Sequence, residues 1–135
     1  MSDLLFPKKP KRVKRKKHPK SLLMQQGRGI CYLCVELDEN WWQHRYTEEH
    51  HIFFSKHQRE LSEEYGLKVD LCLDHHKKGP MAAHKNKSVR RFLEAKGQQA
   101  FEAEYGAEKF RRVFGENYIY DDNLLPPKGN GHTTE

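Results

Sequence analysis

The spacing of apolar and polar positions changes several times along the chain. Residues 67–72, Leu-Lys-Val-Asp-Leu-Cys, alternate apolar and polar. That period of two marks a half-buried strand. Residues 47–54 offer a second strand that ends in His51-Ile52-Phe53-Phe54. Between the two, residues 58–65 fit a short helix closed by Gly66. A short helical piece is expected from about Asp74, broken by Gly79-Pro80. The clearest helix covers residues 88–105, with Val89, Phe92, Leu93, Ala100 and Phe101 on one face and Ser88 as its N-cap. A last helix, 108–114, turns Phe110, Val113 and Phe114 inward before Gly115. The folded part opens at Ile30-Cys31-Tyr32-Leu33-Cys34, and Asp38-Glu39-Asn40 reads as a turn. Two strands with helices after them give an α+β domain over residues 21–121.

Composition adds a constraint. The chain has 135 residues, 36% hydrophobic and 33% charged. A core that small often needs a staple, either disulfides or a metal. Three cysteines cannot close a full set of internal disulfides. With no apolar leader at the N-terminus and no long apolar run, a reducing, cytoplasmic setting and no membrane partner are expected. There, clustered cysteines more often bind metal than form bridges.

Charge is unevenly placed. Residues 1–20 hold nine Lys/Arg and one acid; the chain totals are 25 and 19. The remainder keeps 16 basic and 18 acidic residues, a net of −2 against +6 for the whole. Lys8, Lys9, Lys11, Arg12, Lys14, Arg15, Lys16 and Lys17, interspersed with prolines, read as a disordered basic arm suited to backbone phosphates. Residues 122–135, rich in Pro and Gly towards their end, read as a disordered tail.

Two groups of residues carry the chemistry. Cys31-x-x-Cys34 and Cys72-x-x-His75 are short pairs separated by a few tens of residues. A spacing of two lets a tight knuckle aim both side chains at one ion, and thiolate with imidazole is a zinc donor set. A four-ligand site of this kind is structural Zn²⁺. The second group is Glu49-His50-His51 with His75-His76 and His84: five histidines within 35 residues. Neighbours on a strand face opposite ways. One of His50 and His51 can therefore bind metal while the other stays free as a base near neutral pH.

The order Cys-x-x-Cys, then an acid and a His-His pair on a strand, then strand–Cys-x-x-His-His, resembles the zinc-stapled HNH (ββα-metal) endonucleases. It is closest to small phage-encoded forms and more distant from phage recombination-enhancement (Ref-type) nucleases. The likeness spans roughly residues 30–118, including Ser62-Glu63-Glu64-Tyr65-Gly66 and Gln99-Ala100-Phe101-Glu102. It implies a ββα-metal core with a structural zinc knuckle and C-terminal helices. His50 matches the residue that binds the catalytic divalent ion, His51 the general base, and His76 the second metal ligand. His75 then stands for the fourth zinc-binding cysteine. His84 is a further candidate ligand, placed by Pro80 in a separate loop. The asparagine that pins the inter-strand loop in the family is absent; Gly66 or Leu67 stands there.

The function implied is metal-dependent hydrolysis of DNA phosphodiester bonds in a bacterial host, encoded by a phage or prophage. Mg²⁺ or Mn²⁺ is the expected catalytic ion, with Ni²⁺, Co²⁺ or Zn²⁺ accepted in vitro. Lys77, Lys78, Lys85 and Lys87 are candidates to hold backbone phosphates, and Arg90 and Arg91 extend that track or form the solvated face of their helix. Two other readings stay open. One is a zinc-stapled DNA-binding module without catalysis. The other is a nuclease active only with a recombination partner such as a recombinase filament.

Overall fold

The two segments read as strands pair with each other. In the computed structural model, which describes residues 20–23, 29–120 and 123–127, β1 (Glu48–His51) runs antiparallel to β2 (Lys68–Leu71). Glu48 lies opposite Leu71, Glu49 opposite Asp70, His50 opposite Val69 and His51 opposite Lys68. Val69 and Leu71 are buried on the inner face of β2, as its alternation requires. The basic-arm residues Lys8, Lys9, Lys11, Arg12, Lys14, Arg15, Lys16 and Lys17 lie outside the described residues, as does most of the 122–135 tail.

Strand β1 is shorter than the expected 47–54. Ile52 still donates its N–H to the Leu67 carbonyl at 2.9 Å. Ile52 and Phe53 are both buried, however, at 0% and 1% exposure. Consecutive residues of a strand cannot both face the core, so the chain leaves the sheet after His51.

The link between the strands carries α2 (Gln58–Tyr65), which follows α1 (Tyr32–Asp38) in chain order. Gly66 caps α2 in the left-handed region, φ 73°, and donates to the Ser62 carbonyl. A Cβ at Gly66 would run into the Lys20 carbonyl. Ser62, fully buried, fixes the loop to the end of β1. Its hydroxyl donates to the Phe53 carbonyl at 2.8 Å and accepts the Phe53 N–H at 3.0 Å.

Helix α1 was not expected. Its N-cap is Cys31, whose Sγ accepts the Cys34 N–H at 3.4 Å. A thiol is not among the usual capping residues, so the start carried no ordinary signal. The turn expected at residues 38–40 is the helix end, with Glu39 left-handed at φ 51°.

After β2, residues Asp74–Lys78 form one π-helical turn, closed by Gly79 N–H to the Asp74 carbonyl at 2.9 Å. Helix α3 (Lys87–Tyr105) starts one residue before Ser88. Its cap is Asn86, extended at φ −104°, whose side chain accepts the Val89 N–H at 3.1 Å. Ser88 already lies inside the first turn. Helix α4 (Ala107–Phe114) follows.

The core joins Ile52 and Phe53 to Val89, Phe92, Leu93 and Phe101 of α3 and to Phe110 and Phe114 of α4. Gly97 lets α3 approach closely: a Cβ there would meet Ile52 and Phe53 side chains at 3.2–3.3 Å. The result is a small α+β unit with a two-stranded antiparallel sheet. Among the described residues no helix is long and apolar enough to cross a membrane.

Candidate metal centres

Cys31 caps α1 and Cys34 sits in its first turn, so both thiols point to one place. Cys72 ends β2. The chain then turns at once, with the His75 and His76 N–H groups both bonded to the Cys72 carbonyl, at 3.1 and 2.9 Å. This turn brings His75 back to the thiols. Its Nδ1 lies 3.5 Å from Cys31 Sγ, 3.4 Å from Cys34 Sγ and 3.4 Å from Cys72 Sγ. Cys34 and Cys72 Sγ are 3.9 Å apart. Zinc bonds of ~2.3 Å to sulfur and ~2.0–2.1 Å to nitrogen, at tetrahedral angles, put S···N pairs ~3.5 Å and S···S pairs ~3.8 Å apart. The four residues fit that geometry and form a possible zinc site.

The electrostatics set what an ion would have to overcome. All three cysteines are free thiols and buried. Burial pushes the Cys31 and Cys34 thiols well up, and the neighbouring thiols push Cys34 further. Converging thiolates are unfavourable there without a cation, and a bound Zn²⁺ reverses that balance. Burial lowers the His75 pKa, favouring the neutral imidazole a metal needs. His44, not singled out from the sequence, places Nε2 3.4 Å from Cys34 Sγ, where an N–H can support the sulfur.

Strand β1 divides its own residues by face. Glu48 and His50 point one way, Glu49 and His51 the other. On the first face, His50 meets His76 and His84, with ring centroids 5.1 and 4.9 Å away, and the ligand atoms of all three lie within 4.8 Å of one another. His76 and His84 Nε2 atoms are 3.1 Å apart. Imidazole nitrogens bound to one ion at ~2.0–2.1 Å sit ~2.9–3.4 Å apart.

Glu48 accepts from His76 Nδ1 at 2.7 Å. A carboxylate only accepts, so Nδ1 carries the proton and Nε2 its lone pair, aimed at His84. His50 Nε2 is buried with no hydrogen-bond partner among the described residues. Burial first, then the charges of His84, His76 and His51, hold the His50 pKa down to about 3. An uncharged imidazole with an orphaned buried nitrogen, facing two further histidines, has the form of a metal ligand.

His84 does not occupy a separate loop. The chain folds back after Pro80: Ala83 N–H bonds the His75 carbonyl at 2.7 Å and His84 N–H the His76 carbonyl at 3.2 Å. Asn86 closes the return by donating to the Pro80 carbonyl at 3.1 Å. His76 and His84 are thus brought to His50 together.

On the second face, His51 Nε2 donates to Glu63 of α2 at 2.7 Å. Glu63 also accepts from Lys68 at 2.7 Å, and Lys68 lies 3.6 Å from Glu49. The Lys68 contact, with that of His51, holds the Glu63 carboxyl down to about 2. Glu49, His51 and Glu63 also converge. Here the Lys68 ammonium already supplies the positive charge between the two carboxylates, so this group is an ion-pair network around His51.

Lys77, Lys78, Lys85 and Lys87 are all exposed. Lys77 and Arg90 both act on His84 electrostatically, lowering its pKa after burial and His76. The Arg90 guanidinium lies 6.0 Å from the Phe54 ring centre, and that ring 4.9 Å from His84. Arg91 is exposed.

Sequence reasoning missed Glu48, Glu63, Lys68 and His44. Glu48 was within reach, since it lies two residues before His50 and so shares its face. The others act across elements, where spacing carries no signal. Comparison of the chain with family models, with curated proteins and with solved structures found no match.

Proposed function

We propose that this chain is a metal-dependent endonuclease of the HNH (ββα-metal) type that hydrolyses DNA phosphodiester bonds. One observation carries the reading. Consecutive residues of β1 present an orphaned, uncharged His50 to two more histidines and a carboxylate-oriented His51 to the opposite face. A metal site and a free base at adjacent positions are what hydrolysis of a phosphodiester needs.

His50, His76 and His84 would hold the divalent cation. When bound, it supplies charge stabilisation at the phosphate and at the departing oxygen. Three imidazoles suit Mn²⁺, Co²⁺, Ni²⁺ or Zn²⁺ better than Mg²⁺, which prefers oxygen donors. Glu48 fixes the His76 ring with Nε2 facing the site.

The His51 proton sits on Nε2, held by Glu63, so Nδ1 carries the basic lone pair. His51 takes a proton from water there. The water oxygen attacks phosphorus, the P–O bond to the 3′ oxygen breaks, that oxygen leaves as a hydroxyl after taking a proton from solvent water, and His51 returns its proton to solvent. Lys77 and Arg90, whose charges reach His84, would hold a non-bridging phosphate oxygen or a neighbouring phosphate.

The strand–strand–turn order, with β2 leading through Cys72 into His75 and His76, supports a ββα-metal core stapled by zinc. The asparagine of that family is missing, and the pair of backbone bonds made by Ser62 holds the inter-strand loop instead.

Incubating the protein and a His51→Ala variant with plasmid DNA and Mn²⁺ or Co²⁺ tests the reading. Nicking by the parent and loss in the variant are expected. DNA binding without nicking by either protein would favour a non-catalytic module; nicking only when a recombinase filament is added would make the activity partner-dependent.

A further inference from the structure

Three large aromatic side chains stand exposed within six residues of one another: Trp41 at 56%, Trp42 at 69% and Tyr46 at 60%. In a chain this poor in apolar residues they are conspicuous on the surface. The loop that carries them is held firmly. His44 N–H bonds the Gly29 carbonyl at 2.7 Å, Gln43 bridges Ile30, and Trp42 N–H bonds the Asn40 side chain at 3.0 Å. His44 is tied to the zinc-site thiol of Cys34, and the Tyr46 hydroxyl donates to Glu48 at 3.1 Å. The backbone that carries these aromatics is held in place, the Tyr46 ring is tethered through its hydroxyl, and all three rings are uncovered.

Grooves flank the 44–46 segment, and charge separates them. One, of about 700 Å³, is lined by Arg45 together with Glu49 and Asp70, which face each other across the sheet. Two carboxylates against one cation disfavour a phosphate chain. Another, of about 310 Å³, lies between Tyr46 and the π turn, lined by Arg45, Leu73 and Lys78 with Asp74 as its single carboxylate among the described residues. It combines an aromatic face, an aliphatic side chain and two cations. It also adjoins the histidine cluster, since Tyr46 bonds Glu48 and Glu48 bonds His76.

We infer that Trp41, Trp42 and Tyr46, with Arg45 and Lys78, form a stacking platform for unpaired nucleotides, so that the strand presented to the histidine cluster is single-stranded or locally opened. The inference rests on the nuclease reading and names its substrate class. Bases in a duplex already stack on one another and offer no free face. An unpaired strand lays its bases on aromatic rings while cations track its phosphates, each stacked base being worth about 1–3 kcal/mol, or about fivefold to 150-fold in affinity.

The test uses the full chain carrying His51→Ala, so that cleavage does not confuse binding. A labelled oligothymidine strand and a duplex of equal length are titrated at raised salt, which suppresses the contribution of the basic arm. The strand is expected to bind at least about tenfold tighter than the duplex and to quench tryptophan fluorescence. Trp41→Ala and Trp42→Ala should each weaken strand binding about tenfold, with duplex binding and circular dichroism unchanged. Tyr46→Phe keeps the ring and should keep affinity, whereas Tyr46→Ala should lose it. Equal affinity for strand and duplex, or tryptophan variants that bind like the parent, would overturn the platform. So would self-association that the tryptophan changes abolish, because the occupant would then be a second copy of the chain. Cleavage of single-stranded circular DNA and nicking of supercoiled plasmid by the unsubstituted protein are scored separately. Cleavage of either without strand preference in binding sinks the platform alone; strand preference with neither DNA cleaved sinks the nuclease reading alone.

Discussion

His75 and His76 are neighbours in the chain and serve different clusters. His75 closes a group with three buried thiols; His76 joins His50 and His84. The first group is a closed set of three thiols and one imidazole at tetrahedral spacing, and it joins α1 to the end of β2 and the π turn. The second has three nitrogen donors, two of them buried and one, His84, exposed to solvent. A zinc site that only holds a fold uses all its positions on protein, whereas a site that does chemistry leaves one side open. The single π-helical turn lets consecutive residues face two centres. The group with the form of a structural zinc site thereby also positions a ligand of the group proposed to act on substrate.

This contrast breaks first at the thiols. Cys31→Ser, or stripping zinc with a chelator, should abolish the cooperative fold. Structural zinc contributes an apparent ~10–16 kcal/mol in small domains, against total stabilities of ~5–15 kcal/mol. Thermal unfolding followed by circular dichroism, with zinc content measured in parallel, checks this. A Cys31→Ser protein that melts cooperatively near the parent temperature would show that the cluster is not a staple.

The second group should behave in the opposite way. His51→Ala is expected to cut nicking by roughly 10²–10⁴-fold, the usual worth of a general base, while the melting temperature stays within a few degrees. Loss of fold in place of activity would remove the division of labour between the clusters.

Much of this was readable in advance where side chains act within one short segment. The β2 alternation, the Gly66 cap and both Cys/His pairs rest on local spacing, and the structure agrees with each. What was not readable depends on contacts between segments. Strand β1 ends at His51 because Ile52 and Phe53 are both drawn into a core built from α3 and α4. His84 reaches the cluster through backbone bonds from the 83–84 segment to His75 and His76, which override the break at Pro80. Cys31 caps a helix because the Cys-x-x-Cys turn leaves its sulfur facing the Cys34 N–H. The Glu63–His51 pair joins residues on different elements, and nothing in their separation of twelve positions announces it.

The exposed member of the histidine group gives a sharper and smaller test. His84→Ala removes a ligand without touching the core, so metal-free stability should be unchanged. Affinity for Co²⁺ or Mn²⁺ should fall by at least the ~10–100-fold that even outer-sphere changes cause. In the parent protein, added Co²⁺ should raise the melting temperature by mass action, and this rise should be lost in the variant. Calorimetric titration of the zinc-loaded protein separates the two sites. An unchanged second binding event in His84→Ala would leave His50 and His76 as the working pair.

The smallest expected effect tests the other face of β1. Glu63→Gln keeps the shape of the side chain but weakens its hold on the His51 ring. About tenfold slower nicking with unaltered substrate affinity is expected, in line with the lower end of what such supporting partners are worth. The same substitution makes a statement about pH. The Glu63 carboxyl is held down to about 2, chiefly by Lys68 and then by His51, against ~4.3 in an unfolded chain. A carboxylate depressed in the folded state stabilises the protein above its unfolded value and loses that contribution as pH falls towards its folded one. Any gap in melting temperature between parent and Glu63→Gln should therefore not narrow from pH 8 to pH 5, since that whole range lies above ~4.3. A gap that closes within that range would mean that Glu63 is not held as an ionised partner of Lys68 and His51. The tautomer that leaves His51 Nδ1 free would then lose its support, and with it the difference between the two faces of β1.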